Sequence, residues 1–287
     1  MPEPKVVLDG LAMGESPRWH LGWLWLADWA AHEIVVVDTE GQRETNATVD
    51  SLPFSIDWLP DARLLVLVGR EAKLRVQTDA GTLQTYTDLG KISTMPWNEI
   101  VVDGRANIYV NNIGFDFSGE QGAAGQGAGF IALVAPDGSN PRVVAEGLSF
   151  PNGMVVTPDN RTLIVGESYA ECLTAFDIAE DGGLSNRRVW AKVAGDHPDG
   201  ICLDADGAIW YGDVGSKRCV RIREGGEVLA EVQLDRGCFA CALGGPDRRT
   251  LYMVAADFSD PRALMSGATR TGRILSVEAP APGVGWP

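Results

Sequence analysis

Six stretches of the chain repeat one plan: a polar or small residue, a short apolar strand, a tight turn and a second apolar strand. Two of them read NGMVVTPDNRTLIVGES from Asn152 and DGICLDADGAIWYGDV from Asp199. Their turns are rich in Pro, Asp, Asn and Gly, which favour tight reversals between strands. The repeats begin 40 to 54 residues apart, so each unit has room for two further strands. Their first residues are Glu15, Ser55, Asn98, Asn152, Asp199 and Phe239.

Four strands in each of six units predict an all-β protein, a six-bladed β-propeller with four-stranded blades around a central channel. No long window shows the helical period, which favours the same interpretation. The last unit ends with GRILSVEAP and has only three strands of its own, so we predict that the N-terminal KVVLDG closes the ring as its fourth strand. We expect residues 1–287 to form a single domain with an irregular tail over 279–287.

Charge and composition exclude several classes of partner. The formal net charge is −15, from 24 Lys and Arg residues against 39 Asp and Glu residues, and no basic run occurs. Such a field repels a phosphate backbone, so we expect no nucleic-acid partner. No apolar run approaches a membrane span and no signal-peptide pattern is present, so we expect no membrane partner. Five scattered cysteines indicate a reducing compartment, and we expect a cytoplasmic monomer or small homo-oligomer.

The first strand of each propeller blade lines the channel, so the first residues of the repeats should converge on one axis. Four of the six carry a carboxylate or an amide, and these are Glu15, Asn98, Asn152 and Asp199. Two buried carboxylates that face one another need a compensating positive charge. An all-oxygen ligand set favours one divalent cation, Ca²⁺ first, with Mg²⁺, Mn²⁺ or Zn²⁺ as alternatives. The competing interpretation is that each residue only caps a turn.

The phrases GESPRW, NEIVVDGRANIYV, FPNGMVVTPDNRTLIVGES and HPDGICLDADGAIW resemble the senescence marker protein/gluconolactonase family, which includes regucalcin, bacterial lactonases and luciferin-regenerating proteins. The resemblance covers nearly the whole chain. It implies a six-bladed propeller with one catalytic divalent cation. It also implies that Glu15, Asn152 and Asp199 are metal ligands, and that Asn98 is a ligand or a contact to substrate or water.

The chain departs from the family at the substrate side. Sugar lactonases carry an Arg two residues before the position of Asn98, where this chain has Pro96 in TMPWNE. Trp97, Phe115 and Phe150 are apolar candidates for the substrate pocket, with packing between blades as their alternative role. We therefore expect a lactone that is less polar than gluconolactone.

Two further polar residues are candidates for substrate contact. Asp116 is the best match to a further carboxylate of the family pattern. His197 lies two residues before Asp199 and is a candidate proton shuttle, with a surface turn position as the alternative.

These features predict a metal-dependent hydrolase that opens small-molecule lactones. The cation would polarise the ester carbonyl while water adds, with Asp199 and Asn98 as the catalytic contacts. Asp199 would act either as general base or only as a ligand. Two alternatives stay open: a phosphotriester or fluorophosphate hydrolase on the same metal site, and a non-catalytic calcium-binding regulatory protein.

Overall fold

The structure, a computed structural model, describes residues 1–115 and 127–286. Those residues form six four-stranded antiparallel sheets, with three 3-10 turns and one short α-helix in the connections between strands. The first strands of successive sheets contact one another all the way round, and the sixth returns to the first. This closed order confirms the six-bladed β-propeller. Within the same residues, no helix is long and apolar enough to cross a membrane.

The strand boundaries follow the repeats closely. The chain begins with β1 (Lys5–Leu11). Blade 1 contains β2 (Gly14–His20), β3 (Trp23–Asp28), β4 (Glu33–Val37) and β5 (Arg43–Thr48). Blade 2 contains β6 (Phe54–Trp58), β7 (Leu64–Val68), β8 (Lys73–Gln77) and β9 (Leu83–Asp88). Blade 3 contains β10 (Trp97–Val102), β11 (Ile108–Asn112), β12 (Gly129–Val134) and β13 (Arg142–Leu148).

The second half of the ring has the same order. Blade 4 contains β14 (Pro151–Val156), β15 (Thr162–Glu167), β16 (Cys172–Ile178) and β17 (Leu184–Lys192). Blade 5 contains β18 (Pro198–Leu203), β19 (Ile209–Asp213), β20 (Arg218–Ile222) and β21 (Val228–Gln233). Blade 6 contains β22 (Gly237–Gly244), β23 (Thr250–Ala256), β24 (Gly272–Glu278) and β1, with helix α1 (Pro261–Met265) before β24.

The ring closes as the sequence predicts. Strand β1 pairs antiparallel with β24, from Lys5 opposite Ser276 to Leu11 opposite Gly272. The sheet order β1–β24–β23–β22 therefore joins the two ends of the chain in one blade. Leu11 is fully buried and packs in a cluster with Leu26 of blade 1, which ties the closing strand to the next blade.

Apolar side chains fill the spaces between blades. The second strand of blade 2 reads LLVLV and is buried throughout, because each face of a blade is covered by a neighbouring blade. Leu65 and Leu67 from this strand pack with Ile100 and Val110 of blade 3 in one cluster. A strand buried on both faces loses the alternation of polar and apolar residues, which explains the continuous apolar runs of the repeats.

The two ends of the channel differ. At one end lie the entries to the first strands and the connections between second and third strands. At the other lie the hairpin turns between first and second strands, and the C-terminal segment bonds to them. Trp286 exchanges two backbone hydrogen bonds with Val156, at 2.7 and 2.9 Å, while Val284 donates to Leu203 and Gly283 to Arg248. Residues 279–286 thus contain isolated bridges and no strand.

Candidate functional site

Irregular pairing between first and second strands changes the direction of the side chains near the channel. In blade 1 the register between first and second strands shifts between Glu15 and Arg18, and in blade 3 between Trp97 and Ile100. The shifts in blades 4, 5 and 6 fall between Pro151 and Met154, between Pro198 and Ile201, and between Cys238 and Ala240. A bulge of this kind turns consecutive side chains out of strict alternation. Side chains next to these bulges can therefore face the channel at consecutive first-strand positions.

The channel opens at the entry end into a cavity of about 570 Å³. Four residues from four blades line its base: Glu15, Asn98, Asn152 and Asp199, which we call the floor residues. Glu15 and Asn98 are buried, whereas Asn152 and Asp199 are partly open to the cavity. The Asn98 Nδ2 atom lies 3.4 Å from the Asn152 Oδ1 atom, so the two amides are neighbours. The structure therefore brings all four predicted ligands together.

The two floor carboxylates repel each other in a dry environment. Burial raises the pKa of Glu15 well above its usual range, and the charges of Asp199 and Glu99 raise it further. Burial likewise raises the pKa of Asp199 well above its usual range, with Glu99 as the next cause, against a hydrogen bond with Asn152. Neither carboxylate forms an ion pair with any residue the structure describes. Such an arrangement is costly unless a positive charge is added.

A second layer beneath the floor contains an ion pair that the sequence did not reveal. Arg18 Nη2 donates to Glu99 Oε1 at 2.9 Å, and Ser16 Oγ donates to the same oxygen at 3.2 Å. Both charged residues are 7 % exposed. Because Arg18 is committed to Glu99, its charge only weakly offsets the raised pKa of Glu15. The Arg18 guanidinium is therefore not available to neutralise the floor carboxylates.

The floor residues fit a hard divalent cation. They present carboxylate and amide oxygens, the donor types that Ca²⁺ takes at about 2.3–2.6 Å. Within the described part of the chain, no three His, Cys, Asp or Glu side chains form a metal-binding group, so a cation here needs the amides of Asn98 and Asn152 as well. The uncompensated burial of Glu15 and Asp199 is the structural feature that such a cation would relieve.

The walls of the cavity are largely apolar. Phe150 closes one side, where it contacts Tyr169 at a centroid distance of 4.7 Å and Phe115 at 5.8 Å. The opposite side includes Phe239 and Phe258, with centroids 5.6 Å apart. Further lining comes from Met13, Trp29, Leu52, Pro261 and Met265. A substrate in this cavity therefore meets apolar surface between the floor and the opening.

The remaining predicted substrate contacts have different positions. Phe150 lines the cavity, and Phe115 is half-buried behind it. Trp97 does not line the cavity: it is fully buried between blades and meets Phe130 edge-on at 5.3 Å, which corresponds to the packing alternative. His197 is exposed, outside the cavity lining, with Nδ1 2.9 Å from the Ser168 carbonyl oxygen. Asp116 lies outside the described residues.

Sequence reasoning missed the cavity residues that come from connections between second and third strands. Trp29, Arg70 and Arg262 reach the cavity from blades 1, 2 and 6. The connections of blades 1, 2, 4 and 5 are all four residues long, but their sequences differ, as WAAH, GREA, SYAE and VGSK, so no shared residue marks a cavity position. Glu99 was missed for another reason: it follows Asn98 directly, and only the bulge places both side chains at the channel.

Comparison with known proteins gives relatives of two kinds. The chain is 25 % identical to regucalcin from Xenopus laevis over 261 residues, which is 88 % of this chain and 85 % of that protein. It is 27 % identical to 6-deoxy-6-sulfogluconolactonase from Pseudomonas putida over 150 residues. That alignment spans 51 % of this chain and only about half, 52 %, of the relative.

The fold is shared with solved structures. One is the crystal structure of a calcium-binding protein, regucalcin, from Agrobacterium tumefaciens strain C58, with a TM-score of 0.77 and 19 % identity. The match covers 98 % of this chain and 95 % of that one, and at this identity it speaks for the fold alone. Residues 13–257 match the sequence model of the SMP-30/Gluconolactonase/LRE-like region, and the chain belongs to this family.

Proposed function

We propose that this protein hydrolyses lactones with one divalent cation held by the floor residues. The observation that carries the proposal is the meeting of two carboxylates, which no positive charge neutralises, with two amides at the base of an apolar cavity. The name of one similar protein supports the lactonase part, since that relative is a 6-deoxy-6-sulfogluconolactonase. The oxygen donors favour a hard cation over Zn²⁺, and we place Ca²⁺ first, with Mg²⁺ and Mn²⁺ as alternatives.

Each contributing residue of the floor has a separate role in the proposed hydrolysis. When bound, the cation supplies Lewis-acid polarisation of the lactone carbonyl. In this proposal, the side-chain amide of Asn98 lies beside the lactone carbonyl. Asp199 is partly open to the cavity. Its ionised carboxylate accepts a proton from the attacking water. The water oxygen bonds to the acyl carbon, the ring C–O bond breaks, and the released alkoxide takes up the proton to give a hydroxy acid.

Asp199 has two roles that one variant separates. Asp199→Asn keeps the shape of the side chain and removes its charge. If Asp199 acts as base and ligand, the variant should bind Ca²⁺ and yet lose turnover by at least about 10²-fold, in the range of general-base catalysis. If it acts only as a ligand, turnover should return when Ca²⁺ is raised to saturation. Isothermal titration with Ca²⁺ and activity at increasing Ca²⁺ distinguish the two.

The cavity walls favour a lactone with alkyl or aryl substituents. Sugar hydroxyls buried against Phe150 and Phe239 without partners cost about 1–3 kcal/mol each. Apolar groups gain roughly 25 cal/mol per Å² at the same surface. We expect kcat/KM for an aryl or alkyl lactone to exceed that for gluconolactone by at least about tenfold, which needs ~1.4 kcal/mol.

The decisive experiment combines metal analysis with a substrate panel. Purified protein is assayed for bound metal, stripped with EDTA and reloaded with Ca²⁺, Mg²⁺, Mn²⁺ or Zn²⁺. It is then tested on aryl, alkyl and sugar lactones and on a phosphotriester, with the exposed Glu44→Gln variant as control. Lactone turnover that vanishes with EDTA supports the proposal. Turnover of the phosphotriester alone would assign the other hydrolase reaction, and metal binding without any turnover would assign a calcium-binding regulator.

A further inference from the structure

Two arginines line the active-site cavity away from its floor. Arg70 lies between β7 and β8 of blade 2, and Arg262 lies in helix α1 of blade 6. Blade 1 separates these two blades in the ring, and its Trp29 lines the cavity as well. Both arginines are exposed, so they belong to the opening of the cavity.

Neither guanidinium is neutralised by the residues that the structure describes. Arg70 Nε donates to the Leu52 carbonyl oxygen at 2.6 Å, which anchors the side chain and leaves its terminal nitrogens for another partner. The adjacent Glu71 is committed to Arg75, at 2.5 Å, and lies 3.7 Å from Lys73. Beside Arg262, the Asp260 carboxylate accepts the Ala263 backbone N–H at 3.1 Å and caps the helix.

The two arginines also do not neutralise the floor carboxylates. The charged neighbours that most affect Glu15 are Asp199, Glu99 and Arg18, and neither arginine of the opening is among them. For Asp199 they are Glu99 and Asp213. A divalent cation at the floor would balance Glu15 and Asp199. Two positive charges would then stand uncompensated at the opening.

We propose that Arg70 and Arg262 form an anion-binding subsite, so that the substrate is a lactone whose apolar body carries a carboxylate or another compact anion. The guanidinium fork matches such groups in two-point hydrogen bonds. The apolar walls between floor and opening would hold the body of the substrate. The lactone part of this inference rests on the proposed function, whereas the anion subsite rests on the arginines alone.

The test uses a matched pair of ligands that are not substrates, 4-phenylbutyrate and its neutral amide. Isothermal titration at low salt compares their binding to the Ca²⁺-loaded wild type, to Arg70→Gln/Arg262→Gln, and to the control Arg105→Gln. Arg105 is on the turn between β10 and β11, at the other end of the channel. We expect the wild type and the control to prefer the anion at least about tenfold, and the double variant by less than about twofold.

Each outcome has a distinct meaning. A preference that survives in the double variant but disappears when the cation is removed would overturn the subsite, because the carboxylate would then be binding at the floor. Equal binding of both ligands to the wild type would overturn it as well. The double variant should also lower kcat/KM for a carboxylated aryl lactone relative to its neutral parent. An arginine-dependent preference without any lactone turnover would support the subsite and contradict the proposed function instead.

Discussion

The floor carboxylates are a local conflict between stability and function. Burial and the charge of Asp199 oppose the ionisation of Glu15, and burial and the charge of Glu99 oppose that of Asp199. Arg18 is bound to Glu99. A core selected only for stability would place apolar side chains there, because buried unpaired charge destabilises the folded state. We infer that this repulsion lowers the free energy of unfolding of the metal-free protein, and that the proposed cation would relieve it.

Replacing Glu15 by Gln tests this directly. The variant removes one of the repelling charges and keeps the size of the side chain. With EDTA at pH 7, we expect its melting temperature to exceed that of the wild type by about 2–4 °C, as ~1 kcal/mol gives for a chain of this size. Ca²⁺ should raise the melting temperature of the wild type and not that of the variant. Calorimetry checks both, with Glu44→Gln as the exposed control. A lower melting temperature for Glu15→Gln in EDTA would contradict the inference.

At the scale of elements, the closing strand joins the two ends of the chain in one blade. Strand β1 is the outer strand of blade 6 and is joined to the rest of that blade only through its pairing with β24. Removing it would expose the edge of β24, and an exposed strand edge invites aggregation. The strand is held mainly at its end, where Leu11 is fully buried, while Val6 is 52 % exposed.

Deletion of residues 1–10 should therefore lower the melting temperature sharply and promote aggregation.

A milder test separates the two ends of the strand. Leu11→Ala should lower the free energy of unfolding by about 2–5 kcal/mol, as for other large-to-small core changes. Val6→Ala, on the exposed part, should change it by less than about 0.5 kcal/mol. Urea unfolding measures both, and equal effects of the two substitutions would argue against a closing role for the buried end.

At the scale of the whole molecule, buried polar contacts near the channel join different blades. Arg18 of blade 1 binds Glu99 of blade 3, and Asp57 Oδ2 of blade 2 accepts the Val102 backbone N–H of blade 3 at 2.7 Å. Burial raises the pKa of Asp57 from its ordinary 3.8 to about 6, against the opposing charge of Arg18. The channel centre thus couples the stability of the ring to pH.

The sign of this coupling follows from the raised pKa. The folded state holds the Asp57 proton more tightly than the unfolded state, so its stabilising contribution is present below pH 3.8 and is lost as the pH rises through about 6. The contribution is up to about 3 kcal/mol, at ~1.36 kcal/mol per pH unit. The unfolding free energy of the wild type minus that of Asp57→Asn should therefore fall by about this amount between pH 4 and pH 7.

Urea unfolding in EDTA at the two pH values measures the difference. Asp61→Asn is the control on the same blade, because its ion pair with the Arg63 side chain lowers the pKa of Asp61. Its effect should have the opposite sign and stay below about 1 kcal/mol, since the pair is exposed. A wild-type-minus-Asp57→Asn difference that is constant with pH would show that Asp57 stays ionised in the folded state.

Much of this architecture is predictable from the chain alone. The repeated strand–turn–strand units and the missing fourth strand of the last unit predicted six blades and the closing strand, and the structure confirms both. Equivalent repeat positions predicted the floor residues, and the structure brings them to one cavity. The physical reason is that a propeller converts sequence period into rotation about one axis, so residues at equal phase meet at the centre.

The tertiary structure alone decided what surrounds that centre. Beside the bulge in blade 3, Trp97 packs in the core between blades and Glu99 binds Arg18 of blade 1. Arg70 and Arg262 reach the opening from connections whose residue types differ from blade to blade. Sequence period determines where strands begin, because each blade must present the same edge to its neighbours. The side chains at bulges and connections are positioned by their local contacts. The walls and the opening of the cavity therefore depend on the three-dimensional fold.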